Sequence, residues 1–132
     1  MFAAVIPALN EEKTIEAVVS EVSKCVDTVI VVDDGSSDQT VALAEKAGAL
    51  VLKHDINRGQ GAALQTGHEY ALLLGADFIL DFDADGQFDP LEIAPALETL
   101  QKNGAGVLFG SRFLNQKGNM PFTKKYLVHP LA

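Results

Sequence analysis

The sequence predicts an α/β fold, a parallel sheet joined by crossover helices, and two observations carry that prediction. Short β-rich runs alternate with helix-length segments along the whole chain. One of the runs, ADFILDF at residues 76–82, is almost continuously apolar, as a strand covered on both faces must be.

FAAVIPA (residues 2–8) opens as the first strand. A helix is expected over residues 11–26, because Ile15, Val18, Val19 and Val22 recur at helical spacing and give it one apolar side for the sheet. TVIVVDD (28–34) is the second strand. The next helix, over 38–46, has Ser36 and Ser37 in front as candidate caps, and Gly48 behind, free to take the left-handed conformation that ends a helix. ALVLKH (49–54) is the third strand, a helix follows over 61–74, and ADFILDF is the fourth strand. Asp89 then caps a further helix, with Pro90 at its first position and Glu92 at its third, a capping box with Asp in the Ser/Thr role. AGVLFGS (105–111) supplies a fifth strand, and TKKYLVHPLA (123–132) reads as a helix beginning behind Thr123.

With 132 residues, 48% of them hydrophobic, the chain can bury one core and is expected to form a single domain over 1–132. The lone Cys25 excludes an intramolecular disulfide and a cysteine-based metal site. No segment has the form of a secretory leader, and no run reaches the roughly 18 apolar residues of a membrane helix, so the chain reads as cytoplasmic. The formal charge of −8 is unevenly spread: all 18 acidic residues fall at or before Glu98, whereas Lys102, Arg112, Lys117, Lys124 and Lys125 have no acid among them. An acidic body without aromatic–basic interleaving argues against nucleic acid as a partner, and the basic end suits either a solvated face or an anion contact.

In open parallel sheets ligands sit beyond the carboxyl ends of the strands. The segments there are PALNEE, DDGSSD, NRGQG, DADGQ and GSRF. Any one of them is compatible with an ordinary turn, which uses the same residue types; five polar loops on one edge point to a site. In ILDFDADGQFDP (79–90) an apolar run is followed by Asp81, Asp83, Asp85 and Asp89, and strand alternation gathers the first three on one side, where they would repel one another without a cation. Asp83, Asp85 and Gln87 offer hard oxygen ligands and Gly86 lets the backbone fold around an ion. Mg²⁺ or Mn²⁺ suits them, since such an ion keeps one or two carboxylates and completes its shell with water and a substrate's diphosphate. Asp81, Asp83, Asp85, Gly86 and Glu92 also match the spacing of a calcium loop, but an EF-hand needs a helix on each side and here a strand-like run precedes. GQGAAL (59–64) lacks the third small residue of the dinucleotide fingerprint, and no P-loop motif is present. His54, His68 and His129 lack zinc spacing and read as structural or exposed, and Ser36, Ser37 and Ser111 have no assignable His, so a serine hydrolase has no support.

Taken together and in order, VIPALNEEKTI, VIVVDDGSSDQT, NRGQGAALQTG, DFDADGQFDP and GSRF resemble the family 2 glycosyltransferases, and within them the polyprenyl-phosphate (dolichyl-phosphate) mannosyl- and glucosyltransferases. The resemblance covers nearly the whole chain. It implies the Rossmann-like GT-A fold, a mainly parallel sheet with helices on both faces, which binds a nucleotide sugar and holds a metal on its diphosphate with a D-x-D loop. It assigns Pro7, Leu9 and Glu11 to the lining of the nucleotide, and Asp34 with Val32 beside it to the base or ribose. Asp83, Ala84, Asp85 and Gln87 become the metal and diphosphate loop, and Arg112 meets phosphate, a role that suits its forked, permanently charged group. Asp83, Asp85 and Arg112 would then be the catalytic residues. The implied reaction is an inverting, Mg²⁺- or Mn²⁺-dependent transfer of a hexose from a GDP- or UDP-linked donor to a polyprenyl (dolichyl or undecaprenyl) phosphate, at the cytoplasmic face of a membrane that the protein touches peripherally.

Two departures from the family pattern bear on this. Phe88 stands where these enzymes often have His. The family's chain also runs well past the length seen here, so this one is expected to be an N-terminal part that binds the nucleotide sugar with little or no turnover. Tyr126 and Leu127 would leave an apolar face for a second copy, giving a homodimer. A sugar nucleotidyltransferase is the rival enzyme, but it needs a Gly-rich basic loop after the first strand, where PALNEE is acidic. A phosphoacceptor receiver domain needs an acid pair after strand one and a Lys after strand five; here Asp33 and Asp34 follow strand two, and Ser111 and Arg112 follow strand five.

Overall fold

Along the first strand β1 (Phe2–Ala8), side chains alternate between two hydrophobic clusters: Ala4, Ile6 and Ala8 enter one, Ala3 and Val5 the other. A strand with apolar residues on both faces is stable only between two layers, and that requirement sets the architecture. A computed structural model of the chain describes residues 1–87, 89–108 and 128–130. After β1 come α1 (Ile15–Val22), β2 (Thr28–Asp33), α2 (Thr40–Lys46), β3 (Leu50–Lys53), α3 (Gln60–Leu73), β4 (Phe78–Asp81), α4 (Ile93–Asn103) and β5 (Val128–Pro130). The sheet order is β3-β2-β1-β4-β5, with the first four strands parallel. Apolar residues of α1, α2 and α4 cover one face and those of α3 the other, so the expected α/β sandwich with helices on both faces is present.

Helix α3 meets the sheet through small residues. Ala63, Gly67 and Ala71, four apart, are buried, while Leu72 and Leu73 point outward and Leu73 is 83% exposed. A Cβ on Gly67 would lie 2.2 Å from Val5 Cγ1 and 3.1 Å from Val32 Cγ2, so the helix lies as close to β1 and β2 as a bare Cα allows.

Several boundaries differ from the sequence expectation, each for a local reason. Residues 11–14 form a turn rather than the first turn of α1, with Thr14 N and Ile15 N both donating to Glu11 O. The far end of α1 stops at Val22 because Asp27 is tied to β1 twice, through Asp27 N to Phe2 O and Phe2 N to Asp27 Oδ2, so the chain must leave the helix to reach it. Ser36 and Ser37 do not cap α2; Gln39 is the N-cap and makes no side-chain cap bond, while Asp38 before it accepts from Thr40 N at 2.9 Å. Asp89 accepts from Leu91 N at 2.9 Å as expected, but it opens a 3-10 turn over Pro90–Glu92 before α4 begins. Of the expected fifth strand, Leu108 forms an isolated bridge and residues 109–111 lie outside the described residues.

The helix expected behind Thr123 is corrected at its described part. Val128, His129 and Pro130 form β5, antiparallel to Leu80, Ile79 and Phe78. β4 would otherwise offer a row of unpaired backbone groups at the sheet edge, and an antiparallel edge strand satisfies them; Pro130, which has no N–H, is tolerated in an edge position. No helix among the described residues is long and apolar enough to cross a membrane.

Candidate functional site

From β1 the chain adds β2 and β3 on one side, then crosses to place β4 on the other. The carboxyl ends of β1 and β4 therefore flank the switch point, where open α/β sheets form a crevice for ligands. PALNEE leaves β1 there and DADGQ leaves β4 there. The two loops are joined directly, because the Thr14 hydroxyl donates to Ala84 O at 2.7 Å.

The other loops are tied to these in turn. Asn10 holds a left-handed backbone (φ 54°), which Asn tolerates better than most residues, and Ser36 and Ser37 pin it: Asn10 N donates to Ser36 Oγ at 2.8 Å and Ser37 N to Asn10 Oδ1 at 2.9 Å. Glu11 N donates to the buried Thr40 hydroxyl at 2.8 Å. PALNEE and DDGSSD are thus one unit. DDGSSD is linked to NRGQG by Asp34, whose carboxylate accepts from Arg58 N at 2.9 Å and Gly59 N at 2.7 Å. Gly35 (φ 89°) permits that approach, since a Cβ there would stand 3.1 Å from Asn57 N. NRGQG closes the circuit, with Gln60 Nε2 donating to Asp83 Oδ1 at 3.3 Å. Four loops from four parts of the sequence form a ring of hydrogen bonds around the crevice.

Consecutive residues of a strand face opposite ways, and at the end of β2 this separates Asp33 from Asp34. Asp34 is 4% exposed and its carboxylate is fully engaged. Burial alone would raise its pKa, but the Arg58 N–H, the His54 ring and the Gly59 N–H outweigh that and hold it below the usual carboxylate value. Asp33 is 3% exposed; Oδ2 accepts from Ser36 N at 3.2 Å, while Oδ1 has no partner among the described residues. A buried carboxylate oxygen left without a donor is costly unless a ligand or solvent supplies one.

Asp83 and Asp85 are half-buried on either side of buried Ala84. Asp85 Oδ1 accepts from Gln87 N at 2.9 Å, folding the loop into a tight turn. Asp81, the third acid of the run, is not available to them: its Oδ1 lies 2.5 Å from His68 Nε2 at the foot of the loop. No group of three or more His, Cys, Asp or Glu residues forms a preformed cage among the described residues. Two carboxylates and an amide, without a third acid, fit Mg²⁺ or Mn²⁺ completing its shell from a substrate, and not the multi-carboxylate calcium loop.

Of the residues expected to line a nucleotide, Pro7 and Glu11 are half-buried and Leu9 is exposed at the crevice edge. Val32 is fully buried, its side chain packed in the core beneath α3. Arg112, Ser111, Phe88, Tyr126 and Leu127 lie outside the described residues. Thr14 and Gln60, to which sequence patterning assigns no role, are members of the ring, and His54 and Asp33 stand beside it, bonded to Asp34 and to Ser36. A usable signal existed only for Asp33, since two acids in succession at a strand end must occupy both faces.

A family model described as glycosyl transferase family 2 matches residues 3–130. An uncharacterized protein of Methanocaldococcus jannaschii is 40% identical over 124 residues, spanning 92% of this chain and 51% of its own length. The UDP-N-acetylglucosamine–dolichyl-phosphate N-acetylglucosaminyltransferase of Methanococcus voltae is 37% identical over 141 residues, spanning 92% of this chain and 56% of that protein. The chain thus spans about half the length of these curated relatives. Among solved structures, glucosyl-3-phosphoglycerate synthase from Mycobacterium tuberculosis in complex with Mn²⁺, UDP-glucose and phosphoglyceric acid superposes with a TM-score of 0.66 at 31% identity, covering 83% of this chain and 42% of that one.

Proposed function

This chain belongs to glycosyl transferase family 2 and has the GT-A fold, and from that premise we propose that it supplies the donor half of an inverting transfer of a hexose from a UDP- or GDP-linked sugar to a polyprenyl phosphate, at the cytoplasmic face of a membrane. The observation that carries the reading is the pair Asp83 and Asp85 at the switch point, locked to the β1 loop through Thr14 and to α3 through Gln60. The solved relative's complex with Mn²⁺ and UDP-glucose supports the donor class, and the name of the Methanococcus voltae enzyme supports the acceptor class.

In this reading Asp83, Asp85 and Gln87 hold Mg²⁺ or Mn²⁺. When bound, the ion neutralises the diphosphate that leaves with the nucleotide. Pro7, Leu9 and Glu11 line the nucleotide, and Ala84 carries its backbone past the diphosphate. Of the acid pair, Asp34 serves the base or ribose, shaping that pocket through the loop it holds, with Val32 beneath. Arg112 meets phosphate. An acceptor phosphate is already ionised at neutral pH, so the protein needs to position it and not to deprotonate it.

Titration calorimetry of UDP-glucose, UDP-N-acetylglucosamine and GDP-mannose, with and without Mn²⁺, tests the reading. One donor should bind in a metal-dependent way, and Asp83→Asn or Asp85→Asn should cost at least about tenfold in that affinity, the loss of one charged ligand. Metal-dependent affinity that survives in both variants removes the site assignment.

A further inference from the structure

His54 sits outside the nucleotide and metal sets, yet its side chain is 7% exposed and both ring nitrogens are used. Nδ1 lies 2.7 Å from Asp34 Oδ1 and Nε2 lies 2.9 Å from the Thr66 hydroxyl on α3, while its backbone N donates to Asp33 O at 2.8 Å. The ring therefore bridges the end of β2 to the helix that follows the NRGQG loop. We propose that His54 is a positioning residue for the metal-binding loop: by fixing the Asp34 carboxylate it holds the Gly59–Gln60 turn, which presents the Gln60 amide to Asp83. The proposal rests on the reading of Asp83 as a metal ligand.

A carboxylate only accepts, so Nδ1 carries a hydrogen toward Asp34. With the ring neutral, Nε2 accepts from the Thr66 hydroxyl. With the ring protonated, Nε2 donates and the same hydroxyl turns to Ala62 O, 3.0 Å away. One hydroxyl rotation absorbs either state, and the bond to Asp34 persists in both. Downstream, Asp34 Oδ2 takes Gly59 N at 2.7 Å, and the next residue, Gln60, reaches Asp83 Oδ1 at 3.3 Å. Three consecutive contacts thus connect a buried imidazole to a metal-loop carboxylate.

Two substitutions separate the ends of the ring. His54→Asn keeps an N–H near the Nδ1 position and loses the Thr66 contact; His54→Gln reaches Thr66 and loses the Asp34 contact. Both remove one buried hydrogen bond and should lower thermal stability to a similar degree. In the metal-free, nucleotide-free protein, the NMR resonances of the Gly59 amide and the Gln60 side-chain amide should move in His54→Gln and stay near their native positions in His54→Asn. Mn²⁺-dependent UDP affinity should fall about fivefold in the Gln variant and remain within about twofold of native in the Asn variant. Gly59 and Gln60 resonances unmoved by His54→Gln, or affinity losses in the two variants that simply follow their stabilities, overturn the proposal. A native chain with no metal-dependent UDP affinity removes the functional reading instead, and the resonance contrast still decides whether His54 positions the loop.

Discussion

Asp33 and Asp34 are adjacent, equally buried and opposite in circumstance. Asp34 is saturated by donors, so replacing it with Asn puts an NH₂ group against one of the N–H groups it now accepts, and the variant should lose about 1–3 kcal/mol of stability at neutral pH in urea unfolding. The pH dependence has a definite sign. A folded-state pKa held below the ordinary carboxyl value of 3.8 contributes stability that is fully present above that value and is lost as pH falls through the folded-state pKa. The gap between native and Asp34→Asn should therefore be widest near neutrality and shrink in acid; a gap that widens on acidification contradicts the assigned cause. Asp33→Asn should behave the other way: with Oδ1 buried and unpartnered, stability in urea unfolding should hold or rise.

At the scale of the element, α3 shows how a helix can bury the face with its smallest residues. Its large residues invite a reading in which Leu72 and Leu73 pack inward, but the spacing Ala63, Gly67, Ala71 marks the contact stripe, because the start of α3 is anchored beside Asp34 and Asp83. A helix held that close to the sheet has no space for leucines beneath it. Gly67→Ala should cost about 1–3 kcal/mol by overpacking against Val5 and Val32, both fully buried. It should also loosen the Gln60–Asp83 contact, detectable as weaker metal-dependent nucleotide binding. A neutral effect on stability would mean that α3 can lift off the sheet without penalty.

For the whole molecule, charge dictates a requirement. A net −8 chain repels a nucleoside diphosphate, and the crevice adds Asp83 and Asp85 to that repulsion. Chelation should abolish tight binding of the donor, and raising the salt concentration without metal should recover only a small part of it by screening. The proposed transfer makes a further demand, since an attacking acceptor phosphate would have to be held in line with the anomeric carbon, and orientation is worth roughly 7–11 kcal/mol when complete. The curated relatives are about twice as long as this chain. Radiolabelled sugar transfer to a polyprenyl phosphate should accordingly be far faster with a chain of the relatives' full length than with these residues, while donor affinity is similar in the two; equal turnover would place acceptor chemistry within this stretch.

The sequence by itself determined the sheet and its loops. Apolar runs of strand length alternating with helical periodicity admit few arrangements, and polar segments must then collect at the carboxyl edge, which is why the loop carrying Asp83, Asp85 and Gln87 can be placed there from sequence. Periodicity could not show where the helices begin at PALNEE and DDGSSD, because Asn10, Glu11 and Asp38 bond across to the neighbouring loop instead of along their own helix. It also could not show that residues 128–130 join β4, since an edge strand is chosen by the open backbone groups beside it. Only the tertiary structure decided which of two successive acids is saturated and which keeps a buried oxygen without a partner among the described residues. It likewise drew Gln60 and Thr14 into the ring and His54 beside it, for those contacts span 12 to 70 residues of chain and depend on the strand order alone.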